Sequence, residues 1–489
     1  MHFNSLTYFL FLPAVYLCFL VVGAGRRWPL LLLATFVFYA AVGVPYLIAV
    51  FLLVTLAAFF GALLIDSRSS EKGKPTLLIA SIAAVLLPLV LLRYSPVLVQ
   101  GLQALGLAAL GLTALLPFAD RNFIHWTPVA IGVSYYVFQA VSYLVDVYLE
   151  KMPAERHLGY FALYLGFFPK LLQGPIERAE NLLPQLKAPY RFDYATARAG
   201  LLLFAWGLFK KVVVANRLEG YVDLVYGDVH SYSGWALVLA TWAYALQIYC
   251  DFSGYTHMAL GSARLFNITL TDNFNKPYAA PSVMDFWRRW HISFSRCLLD
   301  YLFKPLQMRF RDLRTAGTAL ALFITFFISG LWHGASWCFV VWGLLHGIFL
   351  AAAVVWRPVQ KKLAKKYALL RSAPALGWKV FFTFQLICFA WIFFRARTLA
   401  DAGYIVTHLF ASSRGVSALL GLYENTGLFL ALTSTLCVFV IESLAGRPSW
   451  QERFFRLPLW LRWSAYYLLI LSLLLFNQDS QNAFIYMRF

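Results

Sequence analysis

Residues 317–356 read GTALALFITFFISGLWHGASWCFVVWGLLHGIFLAAAVVW. Two apolar runs flank a short Gly-Leu-Trp-His-Gly-Ala-Ser insert, and since about 20 apolar residues cross a bilayer as a helix, the stretch predicts a membrane hairpin. The same texture extends in both directions. Segments 6–24, 28–43, 45–65, 76–93, 97–117, 127–149, 198–215, 233–250, 379–394, 425–443 and 461–477 each read as a further span. With 61% hydrophobic and 13% charged side chains, and a mean hydropathy of +0.68, the 489-residue chain is too apolar for a water-surrounded fold. The expected fold is therefore an all-α polytopic membrane protein with about 11–13 transmembrane helices plus re-entrant or interfacial ones.

The first apolar run is followed by Arg26 and Arg27 and then by another apolar run, so it reads as a retained span and not a signal peptide. Cys18, Cys250, Cys297, Cys338, Cys388 and Cys437 are scattered singly, which predicts neither a zinc site nor structural disulfides. The net charge is +19 and unevenly placed. Arg357, Lys361, Lys362, Lys365, Lys366, Arg371 and Lys379 fall in one stretch without an acid, which marks a cytoplasmic loop. A second basic segment, Arg288 to Arg314, is expected on the same side, where both would meet anionic lipid. Spans divide these basic residues and no recognisable nucleic-acid-binding module is present, so no nucleic-acid partner is expected.

No flexible linker separates domains, and residues 1–489 read as one membrane domain: N-terminal helices over 1–125, a core over 126–350, C-terminal helices over 351–483 and a short tail over 484–489. Within the core, Gly, Pro and polar residues interrupt the apolar helices, as in Gly166-Phe-Phe-Pro-Lys-Leu-Leu-Gln-Gly-Pro-Ile-Glu177. Lipid cannot satisfy non-helical backbone, so such a segment must be enclosed by protein or face a wet cavity. Lys170, Gln173 and Glu177 would line that polar chamber, with a surface position for Glu177 the alternative.

Three clusters could carry chemistry. Phe327-Ile-Ser-Gly-Leu-Trp-His-Gly-Ala-Ser-Trp337 places His333 beside Trp332 in an apolar stretch, either as a catalytic group or as a core histidine bonded to a carbonyl. Gly330 and Gly334 would make room for a substrate or for a close helix. Asp285-Phe-Trp-Arg-Arg-Trp-His-Ile-Ser-Phe-Ser295 holds His291 with Trp287, Arg288, Arg289 and Trp290. It is either a cavity-lining segment whose arginines meet donor phosphates or an interfacial Trp/Arg anchor. Asp251, in Tyr249-Cys-Asp-Phe-Ser-Gly-Tyr255, is a site residue or half of a structural ion pair. His257 and His346 read as structural.

These blocks, with Phe36-Val-Phe-Tyr-Ala40, Gln173-Gly-Pro175, Asn275-Lys-Pro-Tyr278 and Trp391-Ile-Phe-Phe-Arg395, resemble in content and order the membrane-bound O-acyltransferases. The likeness is strongest to the bacterial branch that acetylates alginate and related polysaccharides. It implies a central tunnel through a thinned core, with His333 as the catalytic histidine and His291 as the second active-site histidine. It also implies O-acetyl transfer to an exported polysaccharide in the bacterial inner membrane. Acetyl-CoA would be the donor, no cofactor would be held permanently, and an extracytoplasmic acetyltransferase or similar partner would complete the path.

In that chemistry His333 would take the proton of the attacking hydroxyl, and His291 or an indole would steady the oxyanion. The tail Phe484-Ile-Tyr-Met-Arg-Phe489 resembles the F-x-Y-x-x-F end of the small partner of D-alanine-transferring relatives. That likeness would make Tyr486 an acyl carrier; an aromatic interfacial anchor is the alternative. D-alanyl transfer and a transporter without chemistry are the competing functions.

Overall fold

The computed structural model describes residues 1–68, 73–104, 132–415, 427–444 and 450–476. Among these residues helices dominate, and the only β pairing is two isolated bridges, Ser233 with Arg414 and Phe274 with Trp290. Six helices are long and apolar enough to cross a bilayer, at 46–66, 74–94, 194–227, 311–333, 337–366 and 373–395, and shorter apolar helices run over 6–21, 430–443 and 459–475. The polytopic all-α expectation is met. The spans expected at 97–117 and 127–149 lie partly outside the described residues. Leu6, Leu10, Phe60, Leu64 and Leu474 are exposed on helices, as a surface solvated by lipid allows.

Chain contacts divide the protein into two compact units. The first holds residues 1–204 and 256–271 of the described chain. Its helices are α1 (Leu6–Val21), α2 (Arg27–Ala40), α3 (Tyr46–Asp66), α4 (Lys74–Ala104), α5 (Val133–Tyr148), α6 (Leu158–Gly166) and α7 (Ala179–Lys187). Polar side chains inside these helices bond to their own helix: Thr35 Oγ1 donates to the Leu31 carbonyl at 2.9 Å and Thr55 Oγ1 to the Phe51 carbonyl at 2.7 Å. This is how a hydroxyl is tolerated where water is absent.

After α6 the chain turns through Phe167–Gly174 without forming a helix, and it is enclosed, as the sequence predicts for an interrupted segment. Lys170 is fully buried, donating to the Gln139 side chain and, at 3.0 Å, to the Leu165 carbonyl. Glu177 is also fully buried, which removes the surface alternative. Its carboxylate accepts from the Thr271 backbone N–H, from Thr271 Oγ1 at 3.1 Å and from Asn181 Nδ2 at 2.8 Å.

The second unit holds residues 205–255 and 272–476 of the described chain. Two long helices, α8 (Tyr194–Phe209) and α10 (Trp235–Leu265), contribute to both units, with α9 (Asn216–Gly227) between them. A π-helical turn, Lys210–Ala215, separates α8 from α9 and buries two lysines. Each meets an acid: Lys210 pairs with Glu442, and Lys211 with Asp251 at 2.5 Å. Asp251 is thus half of a buried ion pair.

The remaining helices are α11 (Val283–Arg289), α12 (Ile292–Leu298), α13 (Lys304–Arg309), α14 (Arg314–His333), α15 (Trp337–Lys366), α16 (Ala373–Arg395), α17 (Leu399–His408), α18 (Gly427–Leu444), α19 (Trp450–Phe455) and α20 (Leu459–Leu475). The hairpin expected over 317–356 is α14 and α15, broken at Gly334–Ser336, where Ser336 Oγ caps α15 by accepting from the Cys338 N–H. Glycines set the spacing of the pair. A Cβ on Gly330 would lie 2.5 Å from the Phe339 carbonyl oxygen, and one on Gly343 would lie 2.4 Å from that of Phe326. Backbone meets backbone there, so Gly330 serves close helix packing, and Gly334 is filled by the Phe339 ring.

Candidate active site

His333 closes the last turn of α14. Its Nδ1 lies 2.7 Å from the carbonyl of Ser329, four residues earlier. A carbonyl only accepts, so Nδ1 carries the proton and Nε2 is the basic nitrogen of the neutral ring. The ring is buried among Trp342 and Trp332, both at 4.6 Å between centroids, and Phe394 at 5.3 Å.

His291 stands between α11 and α12 with φ 43° and ψ 56°, a left-handed conformation that non-glycine residues seldom hold. Strand-like pairing enforces it. The Ile292 N–H donates to the Asn273 carbonyl at 3.0 Å, and the Asn275 N–H donates to that of Arg289 at 2.9 Å. Asn273 Oδ1 then receives the Ser293 N–H at 3.1 Å, the Ser293 hydroxyl at 2.7 Å and His291 Nδ1 at 3.4 Å. Because the backbone N–H can only donate, this amide oxygen is an acceptor, and His291 also presents a basic Nε2. Burial, and then the nearby His333 ring, push the His291 imidazole well below its ordinary range, which keeps it neutral. In this tautomer the neutral ring carries no proton on Nε2.

Phe294 bridges the two histidines, stacked on His291 at 5.0 Å and edge-on to His333 at 5.8 Å, while Trp332 stacks on Phe294 at 4.3 Å. Trp287 packs on Phe326 at 4.8 Å and gives its indole N–H to His346 Nδ1 at 3.2 Å. Trp290 is fully buried in aromatic packing with Phe286, Phe274 and Trp391, a structural position. Arg289 is held by Asp285 at 2.8 Å. Arg288 instead lines a groove of about 1350 Å³ with Arg296, Arg311, Arg314, Arg357 and Lys361. Residues of both basic segments therefore line the same groove. Trp287, Phe326 and Leu350 belong to its apolar lining.

Lys170 and Gln173 belong to the first unit. The Gln173 side chain is buried, and its amide meets no partner among the described residues. Tyr486 lies outside the described residues. Among the described residues no group of three or more potential ligands could hold a metal.

The MBOAT, membrane-bound O-acyltransferase family, matches residues 115–396. The chain is 33% identical over 436 residues to a peptidoglycan O-acetyltransferase of Helicobacter pylori, covering 82% of this chain and 78% of that protein. It belongs to the membrane-bound O-acyltransferase family. A probable alginate O-acetylase of Pseudomonas aeruginosa is 32% identical over 413 residues, 82% of this chain and 73% of that protein. A teichoic acid D-alanyltransferase of Bacillus subtilis stands further off, at 27% over 305 residues, 58% of this chain and 74% of that protein.

As a multi-pass O-acyltransferase, the protein requires a base for an incoming hydroxyl, a donor for the oxyanion and a berth for an activated acyl group. The second unit offers candidates for each. Sequence reading passed over His346, because a lone histidine on an apolar helix face is usually structural. The signal available was its position one turn beyond Trp342, on the helix that follows His333.

Proposed function

We propose that the protein transfers acetyl from acetyl-CoA, at the cytoplasmic side of the bacterial inner membrane, toward a hydroxyl of an extracytoplasmic glycan. The observation that carries this reading is the His333 tautomer: a buried imidazole whose Nδ1–H is spent on a carbonyl, leaving Nε2 to act as base. Similarity to peptidoglycan and alginate acetylases supports a polysaccharide acceptor and an acetyl group. The cationic groove supports a phosphorylated donor, since guanidinium groups match phosphate oxygens. Tyr486 would hold the acetyl group as an aryl ester on its way to a partner outside the membrane.

Reconstituted protein given labelled acetyl-CoA should release CoA and acquire or pass on label, and H333A should do neither. A transporter would move its substrate unchanged, and unaltered CoA release by H333A would refute the assignment of the base. Loss of product acetylation in Y486F, with label no longer retained on the protein, is the outcome expected of a carrier tyrosine.

A further inference from the structure

Around His333 the second unit buries three hydrogen-bonding groups that find no partner among the described residues: Ser329 Oγ, Trp342 Nε1 and His346 Nε2. Each such group costs about 1–3 kcal/mol when left unmet, and an aliphatic or phenyl side chain would fill the same space without that cost. Their common location beside one imidazole points to a ligand that completes them.

The protonation of His346 follows from Trp287. An indole only donates, so His346 Nδ1, which receives that N–H, is bare, and the neutral ring carries its proton on Nε2. Nε2 sits across the ring from Nδ1, so the Trp287 bond also fixes where the Nε2–H points. One turn back on α15, Trp342 lies 4.9 Å from the His346 ring and 4.6 Å from the His333 ring. A basic nitrogen and a buried N–H thus flank one indole, while His291 presents a bare nitrogen.

We infer that His346 supplies, through its Nε2–H, the hydrogen bond that stabilises the oxyanion of acyl transfer, with the Trp342 indole N–H beside it. The inference rests on the proposed acyl transfer and names a residue no comparison assigns. An attacking hydroxyl gives its proton to His333 Nε2 as its oxygen bonds to the thioester carbon. The carbonyl π pair moves onto oxygen, where the His346 N–H meets it. The carbonyl then re-forms, the carbon–sulfur bond breaks, and His333 returns its proton to the departing thiolate.

Substitutions at 346 separate this role from support of Trp287. H346N keeps an acceptor near Nδ1 but no donor at the reach of Nε2, whereas H346Q places an amide N–H at that reach. With full-length protein in nanodiscs and acetyl-CoA as donor, H346N and H346F should each lose about 10²–10³ in kcat at unchanged KM. H346Q should stay within about tenfold of the unsubstituted protein by the same scale. Activity in H346N above that in H346Q makes His346 a mere support for Trp287 and overturns the inference, as does full kcat in H346F or a loss confined to KM. If H346F fails to fold, the order of H346N and H346Q decides. Should the unsubstituted protein not turn over acetyl-CoA, the donor reading fails by itself. The same variants are then scored by glycan O-acetyl content in cells lacking the native copy, where any order other than H346Q above H346N overturns the inference.

Discussion

Lys211 and Asp251 meet with both side chains 2% exposed or less, so neither charge has water to fall back on. Removing the carboxylate takes the counter-charge from a buried ammonium: D251N should cost about 3–5 kcal/mol, while replacing both with apolar residues should restore most of it. Thermal melting of the solubilised protein checks this, and a melting temperature in D251N equal to that of the native protein would contradict the ion-pair assignment. His333 makes the opposite prediction. Its buried ring bonds the Ser329 carbonyl and packs against Trp342, so H333Q, which keeps most of that volume, should melt closer to the native protein than D251N yet lose about 10²–10⁴ in kcat, the range a positioned base contributes. Stability should also fall on acidification through His291. Because its folded-state pKa is depressed, the unfolded chain takes up a proton below about pH 6.5 that the folded ring refuses. The native protein should therefore hold its melting temperature above that pH and lose it below, with a shallower loss in H291Q; equal slopes in the two would exclude His291 as a source.

At the scale of elements, the α14–α15 pair is the feature on which the candidate base depends, because backbone contact between the helices fixes the end of α14. A methyl on Gly343 would press within 2.4 Å of the Phe326 carbonyl oxygen and 2.9 Å of Gly330 Cα, neither of which can swing aside. G343A should thus cost about 1–3 kcal/mol as overpacking, and should lower kcat by shifting Ser329 and His333. In contrast, Gly220 of α9 has nothing within 4 Å of an added Cβ, and G220A should gain up to about 1 kcal/mol of helix propensity. Melting curves of the two variants run in parallel give the comparison, and equal stability would mean the helices part freely. This hairpin was legible in the sequence because lipid enforces long apolar runs, and its polar insert stood out against them. The enclosed turn at Lys170 was legible for the same reason. What the sequence could not show were partners distant in the chain: Lys210 and Lys211 sat inside an expected span with no hint that Glu442 and Asp251 would answer them. His346 was hidden likewise, since its link to Trp287 crosses 59 positions.

On the scale of the whole molecule, the question is how a donor on one side reaches His333. Arg314 opens α14 and His333 ends it, and at about 1.5 Å per residue the two stand about 28 Å apart, nearly a hydrocarbon thickness. The groove shortens that distance. It runs from Arg311, Arg314, Arg357 and Lys361 up to Trp287 and Phe326, and Phe326 is seven residues, about 10 Å, below His333 along the same helix. Arg288, next to Trp287 in the chain, and Arg296 line the same groove, so phosphates bound by them would leave only a short apolar reach for the acyl arm. If these arginines serve binding alone, they stabilise the bound donor and the transition state equally, and their loss appears in KM and not in kcat. R288S/R296S should raise KM for acetyl-CoA by at least about tenfold, as expected for two charge-assisted bonds, at unchanged kcat. Added salt should raise KM in the native protein and do so less in the double variant, because groups open to solvent are screened. Initial rates of CoA release at low and high ionic strength measure both effects. A variant whose kcat falls while KM holds would place these arginines with the reacting atoms, and one matching the native protein in both constants would remove the groove from the donor's path.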